Sequence, residues 1–125
     1  MTRRLTLAGP AGPLSALVDE PGQAFCALVL AHGAGAGMDH PFMHALAAAL
    51  QARGVATLRL QFPFMKRGTR RPDPPAVAEA SVRCALETAQ GQWPDLALFA
   101  RAKSFGGRMT TQLHARHPWA GVRGL

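Results

Sequence analysis

The chain has 125 residues and a mass of 13.2 kDa, and its 14 lysines and arginines outnumber seven acidic residues, so its formal net charge is +7. This length suits one small domain, and an apolar share of 48% excludes a disordered basic tail. Two cysteines without a CxxC spacing, Cys26 and Cys84, exclude a disulfide framework or a zinc site and indicate buried thiols in a reducing compartment.

The sequence also argues against a membrane-spanning or secreted protein. Its longest apolar run, Phe25–Ala31, has seven residues, which is too short to cross a bilayer. Glycine–proline pairs at 9–10 and 12–13 interrupt any apolar segment of a signal peptide. We therefore expect a cytoplasmic protein that has no membrane partner, metal or cofactor.

The first quarter of the chain predicts strands. Leu5–Leu7 and Ser15–Val18 are short apolar stretches separated by glycine and proline, which favours two antiparallel strands joined by a turn. Phe25–Ala31 is continuously apolar, as in a strand that is buried on both faces of a sheet. A glycine-rich loop, His32–Gly37, follows this strand.

Two helices are predicted next, separated by a strand at Val55–Leu60 and a loop at Phe62–Pro75. Asp39 is expected to cap the first helix, with Pro41 in its first turn and Gly54 at its end. Its apolar residues recur at helical spacing: Phe42, Leu46, Ala49 and Leu50. The second helix is expected to open at Asp73–Pro75, to end at Gly91, and to present one shared face: Val77, Ala80, Cys84, Ala85 and Thr88.

The last quarter repeats the strand–helix pattern. Leu96–Ala100 is the next predicted strand, Lys103–Gly107 a tight turn, and Arg108–Arg116 a helix. Val122–Leu125 begins another strand. Strands that alternate with helices through short loops indicate an α/β domain with a mostly parallel sheet flanked by helices.

The turn after the strand at Leu96–Ala100 has the layout of a nucleophile elbow, small-x-Ser-x-Gly. Such a sharp turn needs small residues two positions before and after the nucleophile, and Ala102 and Gly106 meet this need, with Gly107 following. Ser104 would then stand at the carboxyl edge of the sheet, where the N–H of Phe105 and the helix dipole can stabilise an oxyanion. The alternative is an ordinary strand–helix turn that has a serine near the start of the helix.

His32-Gly33 follows an earlier strand, at the place where hydrolases with such an elbow carry their second oxyanion N–H. Glycine allows the backbone to turn that N–H towards a substrate. Two phosphate-binding interpretations fail. A dinucleotide fingerprint needs a further glycine where Met38 or His40 stands, and a P-loop needs glycines where Ala97 and Ala102 stand.

Three segments together resemble a family of α/β-hydrolase-like proteins: Leu30–Met43, Phe62–Met65 with Arg71–Pro75, and Lys103–Met109. This family includes small bacterial predicted hydrolases, a testis-expressed protein and a subunit of a nuclear histone-acetyltransferase complex, with dienelactone-hydrolase-type enzymes as more distant relatives. The resemblance runs from about Leu28 to Leu125. It implies an α/β-hydrolase fold with Ser104 as the nucleophile and His32-Gly33 in the oxyanion loop. Family members usually carry Gly-Gly where this chain has Arg101-Ala102.

A serine hydrolase of this fold places its acid and then its base after the serine. No acidic residue follows Asp95. His114 and His117 lie on the predicted helix that starts at the elbow, roughly 15 and 20 Å along its axis, and are too far from Ser104 to serve as the base. His40 and His44 precede the serine, and we expect them to cap or pack at the start of a helix.

We therefore expect residues 1–125 to be the N-terminal part of a hydrolase domain, truncated before its acid and base and inactive without them. Very roughly 80 to 100 further residues would complete the sheet, at about 30 residues for each strand–helix–strand step. Without them the sheet would end on the nucleophile strand, and its uncovered edge would favour self-association.

The leading functional hypothesis is a serine hydrolase that acts on an ester or thioester bond of a small-molecule acyl substrate. The alternative is a non-catalytic hydrolase-like module that binds other proteins. The basic segment Lys66–Arg71 has four cations in six residues, but no aromatic residues interleave with them. We interpret it as a solvated loop and expect no specific nucleic-acid partner.

Overall fold

The computed structural model describes residues 2–9, 12–32, 37–63, 74–102 and 122–124. These residues form six strands and two helices, which alternate as the sequence predicts after an initial strand pair. In chain order they are β1 (Thr2–Gly9), β2 (Gly12–Asp19), β3 (Cys26–Ala31), α1 (Pro41–Ala52), β4 (Val55–Leu60), α2 (Pro75–Gln92), β5 (Ala97–Ala102) and β6 (Val122–Gly124).

The strands form one mixed sheet in the order β1-β2-β4-β3-β5-β6. β1 and β2 form the predicted antiparallel hairpin, and β2 also runs antiparallel to β4. The remaining neighbours, β4 with β3, β3 with β5 and β5 with β6, are parallel. The predicted α/β class is thus confirmed. β6 extends the sheet beyond β5, so the expectation that the nucleophile strand would be the last strand is wrong.

β4 lies inside the sheet between β2 and β3, and it is buried on both faces because a helix packs on each of them. Alternate residues of a strand point to opposite faces. Ala56, Leu58 and Leu60 belong to the apolar core that α2 covers. Thr57 and Arg59 therefore lie on the other face, over which α1 packs against β4 and β2. The helix that follows β3 and the helix that follows β4 therefore lie on opposite faces of the sheet.

The ends of both helices differ from the predictions in detail. His40, not Asp39, caps α1, because the Nδ1 atom of His40 accepts the N–H of Phe42 at 3.1 Å. Gly54 follows the last turn of α1 with φ 83°, which confirms its predicted role at the end of that helix. α2 continues through Gly91 to Gln92, and Trp93 caps it.

The face of α2 that the sequence predicts to be buried lies to one side of the face that is buried in the structure. Of the five residues predicted to share a face, only Ala85 is fully buried, and the other four lie at the margins of the contact. Val82 and Leu86 form the centre of the buried strip. Helix α1 shows the same effect, since Met43 and Ala47 are buried while Phe42 is 50% exposed. Both helices are rich in alanine, so hydrophobic periodicity gives little contrast between their faces.

Both thiols are free and only half-buried, where the sequence predicts buried thiols. Cys26 is the first residue of β3, and burial raises the pKa of its thiol. Cys84 lies at the margin of α2 and donates to the carbonyl of Ala8 at 3.4 Å. Burial raises the pKa of this thiol, and the charge of Glu87 raises it further, against a lowering hydrogen bond with Thr88.

Within the described ranges, neither helix is both long and apolar enough to cross a membrane.

A buried ion pair joins β2 to β4. Nη2 of Arg59 donates to Oδ2 of Asp19 at 2.9 Å, and the two side chains are 1% and 5% exposed. The pair is diagonal, because Asp19 lies opposite Thr57 in the antiparallel register and Arg59 is two residues further along β4. Thr2 donates its hydroxyl to the other carboxylate oxygen of Asp19. A charge in this position is tolerated only because it is paired.

We expect Asp19→Asn to lower the free energy of unfolding by about 3–5 kcal/mol, because Arg59 would remain buried without its counter-charge. Urea unfolding followed by circular dichroism measures this loss. The control is Arg3→Gln, which breaks an exposed ion pair with Glu20 and should cost less than about 1 kcal/mol. Equal losses in the two variants would contradict the burial argument.

Gly54 is expected to be more sensitive to substitution than Gly22. Its φ of 83° is unfavourable for a side chain, and a Cβ atom would approach the ring of Phe25 to 3.1 Å. Gly54→Ala should cost about 1–2 kcal/mol of unfolding free energy. Gly22→Ala, where a Cβ meets nothing within 4 Å, should change it by less than about 0.5 kcal/mol. Thermal or urea unfolding of both variants tests the difference.

Candidate active site at the carboxyl edge of the sheet

Three parallel strands end together at one edge of the sheet. Ala31, the last residue of β3, lies beside Leu60 at the end of β4 and beside Ala102 at the end of β5. Neighbouring strands are about 4.8 Å apart, so the segments that follow them start close together. The helices that follow β3 and β4, α1 and α2, also lie on opposite faces of the sheet. Ligand sites of α/β sheets form at such a point, beyond the carboxyl ends of the strands.

The structure describes two of the predicted site residues, His32 and Ala102. β5 runs two residues further than predicted and ends at Ala102, two positions before Ser104. The other site residues lie outside the described ranges: Gly33, Ser104, Phe105, Gly106 and Gly107. His114, His117 and the basic segment Lys66–Arg71 lie outside them as well. The elbow and the oxyanion amides therefore stay predictions.

His32 follows β3 and turns its side chain into the protein, where the residue is 1% exposed. Its Nε2 atom accepts the backbone N–H of Phe62 at 2.9 Å. The two rings also meet edge to face, with centroids 5.0 Å apart. Because Nε2 uses its lone pair as an acceptor, the neutral ring carries its proton on Nδ1. The side chain thus ties the start of the glycine-rich loop to the segment that follows β4.

The end of the glycine-rich loop is tied to β4 in a similar way. Met38 is fully buried, and its N–H donates to Oε1 of Gln61 at 3.2 Å. Nη1 of Arg59 donates to the carbonyl of Met38 at 3.1 Å. The sequence does not predict these contacts, although it contains one signal: Arg59 is a charged residue within an otherwise uncharged buried strand.

The turn that leads into α1 is also hydrogen-bonded. The N–H of His40 donates to the carbonyl of Gly37 at 3.1 Å, and His40 caps the helix. The expectation that His40 has a capping role is confirmed. His44 is exposed one turn further along α1.

Arg101 is exposed and lies opposite Leu30 in the parallel register of β5 and β3. It therefore places a cation one residue before the end of β5. In the described part of the chain, no three histidine, cysteine or acidic side chains converge as ligands of a metal would.

Solved structures with the same fold are numerous. A serine hydrolase homologue from Coxiella burnetii has a TM-score of 0.78 at 19% identity, with 92% of this chain and 58% of that chain covered. A serine hydrolase without a lid from Xanthomonas campestris has a TM-score of 0.75 at 24% identity, with coverages of 92% and 56%. Dienelactone hydrolase from Anabaena variabilis has a TM-score of 0.77 at 20% identity, with coverages of 94% and 58%.

The chain thus spans between 56% and 58% of the length of these three structures. At these identities the likeness establishes the α/β-hydrolase fold. No curated protein is significantly similar in sequence. A sequence profile described as "Alpha/beta hydrolase domain" matches residues 24–125, which include β3 to β6 and every predicted site residue. The chain therefore belongs to the alpha/beta hydrolase domain family.

Proposed function

We propose that this chain supplies the nucleophile and the oxyanion hole of a serine hydrolase that cleaves an ester or thioester bond of a small-molecule acyl substrate. The observation that carries the proposal is the register of the sheet, which ends β3 and β5 side by side at Ala31 and Ala102. The segments that follow these two strands are the ones in which hydrolases with an elbow carry their oxyanion amides.

In the proposed reaction Ser104 loses its hydroxyl proton to a base while its Oγ attacks the acyl carbon. The N–H groups of Phe105 and Gly33 then donate to the carbonyl oxygen as it becomes negative. The leaving alcohol or thiol takes the proton back from the base, which leaves an acyl group on Ser104. Water, activated by the same base, hydrolyses this acyl-enzyme and restores the serine.

The base must be a residue other than His32, which is buried, and His40, which caps α1. Nε2 of His32 is occupied by the N–H of Phe62, and Nδ1 of His40 by the N–H of Phe42. No acidic residue follows Asp95 in the sequence. We therefore assign the base and its acid to the part of the domain that the matched structures have beyond the length of this chain.

Labelling with a fluorophosphonate probe tests the role of Ser104. We expect a family member that has the same three motifs and the full length of the matched structures to be labelled, and its serine-to-alanine variant to be inert. The 125-residue chain should be labelled at Ser104 at least about a thousandfold more slowly, because it lacks the base.

Failure of the longer protein to react would contradict the hydrolase proposal and favour a protein-binding module. The exposed side chain of Arg101, which stands where the family usually has glycine, would suit such a module. Equal labelling of the two proteins would show that the base lies within this chain. Ser104→Ala is the control for labelling at other residues.

Substitution of His32 separates anchoring from acid–base chemistry. His32→Ala should lower the free energy of unfolding by about 1–3 kcal/mol, because the buried N–H of Phe62 loses its acceptor. It should also slow the labelling of Ser104. His32→Gln places an amide oxygen near the position of Nε2 and should recover most of both losses. If both variants stop the labelling completely while stability is kept, His32 acts as the base, and the anchoring role is wrong.

A further inference from the structure

We propose that Arg59 and Gln61 are positioning residues, which hold the end of the glycine-rich loop so that its oxyanion amide is correctly placed. This inference rests on the proposed hydrolase function and extends it to two side chains that the family resemblance does not assign. Both act on a single residue, Met38, which lies just after the loop.

The two side chains hold the peptide groups on either side of Met38. Gln61 accepts its N–H at 3.2 Å, and Arg59 donates to its carbonyl at 3.1 Å. The guanidinium of Arg59 is itself fixed by Asp19 at 2.9 Å, so the donor does not move freely. Met38 is completely buried. Both peptide groups are costly to reorient, because each broken bond would leave an unpaired polar group.

Arg59 also settles an orientation that the local turn leaves open. The N–H of His40 donates to the carbonyl of Gly37 at 3.1 Å, which closes a β-turn. The central peptide of this turn joins Met38 to Asp39. Type I and type II turns differ by a flip of this central peptide, and both keep the closing hydrogen bond. The bond from Arg59 to the Met38 carbonyl therefore selects one orientation, and the planar trans peptide directs the Asp39 N–H to the opposite side.

The start of the loop is anchored on the same strand. His32 accepts the N–H of Phe62 at 2.9 Å, three residues beyond Arg59 along the chain. Both ends of the glycine-rich loop are thus tied to β4 and the two residues that follow it. The described residues on either side of the loop, His32 and Met38, are therefore held in place relative to one strand, and residues that support a reacting group need such anchoring.

Amide hydrogen exchange of the 125-residue chain tests whether Gln61 holds the N–H of Met38. We expect Gln61→Ala to speed exchange at the Met38 N–H by about tenfold or more, since its buried acceptor is lost. Gln61→Glu keeps an acceptor oxygen and should stay within about twofold of the unaltered chain. The amides of Val29 and Leu30 in β3 report general loosening and should not change. Gln51→Ala, which removes an exposed bond to the carbonyl of Glu20, is the matched control.

Fluorophosphonate labelling of Ser104 in the same variants tests whether this contact affects the reaction. Gln61→Ala should lower the maximal labelling rate about tenfold to a hundredfold, with less than a twofold change in the half-saturating probe concentration. Gln61→Glu should recover the rate. Arg59→Lys, which keeps the charge beside Asp19 but not the two-sided fork of donors, should give an intermediate rate.

The outcomes separate the two proposals. If Ser104 is never labelled, in this chain or in the longer family member, the hydrolase function fails, and the positioning role fails with it even if exchange at Met38 responds. If labelling occurs but Gln61→Ala leaves exchange at Met38 unchanged, the contact is not what holds the loop. If exchange rises and the labelling rate stays the same, the two residues are structural only, and the positioning role is overturned.

Discussion

The burial of Arg59 is the constraint on which the face of the sheet under α1 depends. A guanidinium that is 1% exposed needs a counter-charge and hydrogen-bond acceptors, because its transfer from water is otherwise very costly. Asp19 supplies the charge and the carbonyl of Met38 supplies an acceptor. The requirement therefore fixes the end of β2 and Met38, in the turn before α1, in relation to β4.

The two faces of β4 consequently have different tasks. The face with Ala56, Leu58 and Leu60 joins the apolar core under α2, and its packing is nonspecific in direction, as hydrophobic contacts are. On the opposite face, Arg59 makes directional bonds to Asp19 and Met38, which tolerate little displacement. One strand thus provides stability on one side and sets the position of the candidate site on the other.

Features set by short-range sequence pattern could be predicted. The hairpin of β1 and β2, the buried strand β3 and the end of α1 at Gly54 all follow from apolar runs and from glycine. The position of the candidate site at the carboxyl edge could also be predicted, because alternating strands and helices impose parallel strands whose ends lie together. The buried face of α2 and the cap of α1 did not, since alanine gives a weak pattern and both Asp39 and His40 can cap a helix in the same local sequence.

The candidate site divides in the same way. The motif His32-Gly33 predicts where a loop begins, but the acceptor role of the His32 ring depends on Phe62, which is 30 residues further along the chain. The contacts of Arg59 span 40 residues to Asp19 and 21 to Met38. Short motifs carry the groups that would react, which are backbone amides and a serine hydroxyl. The groups that orient them are side chains brought together by the order of the strands, so they emerge only once the sheet is assembled.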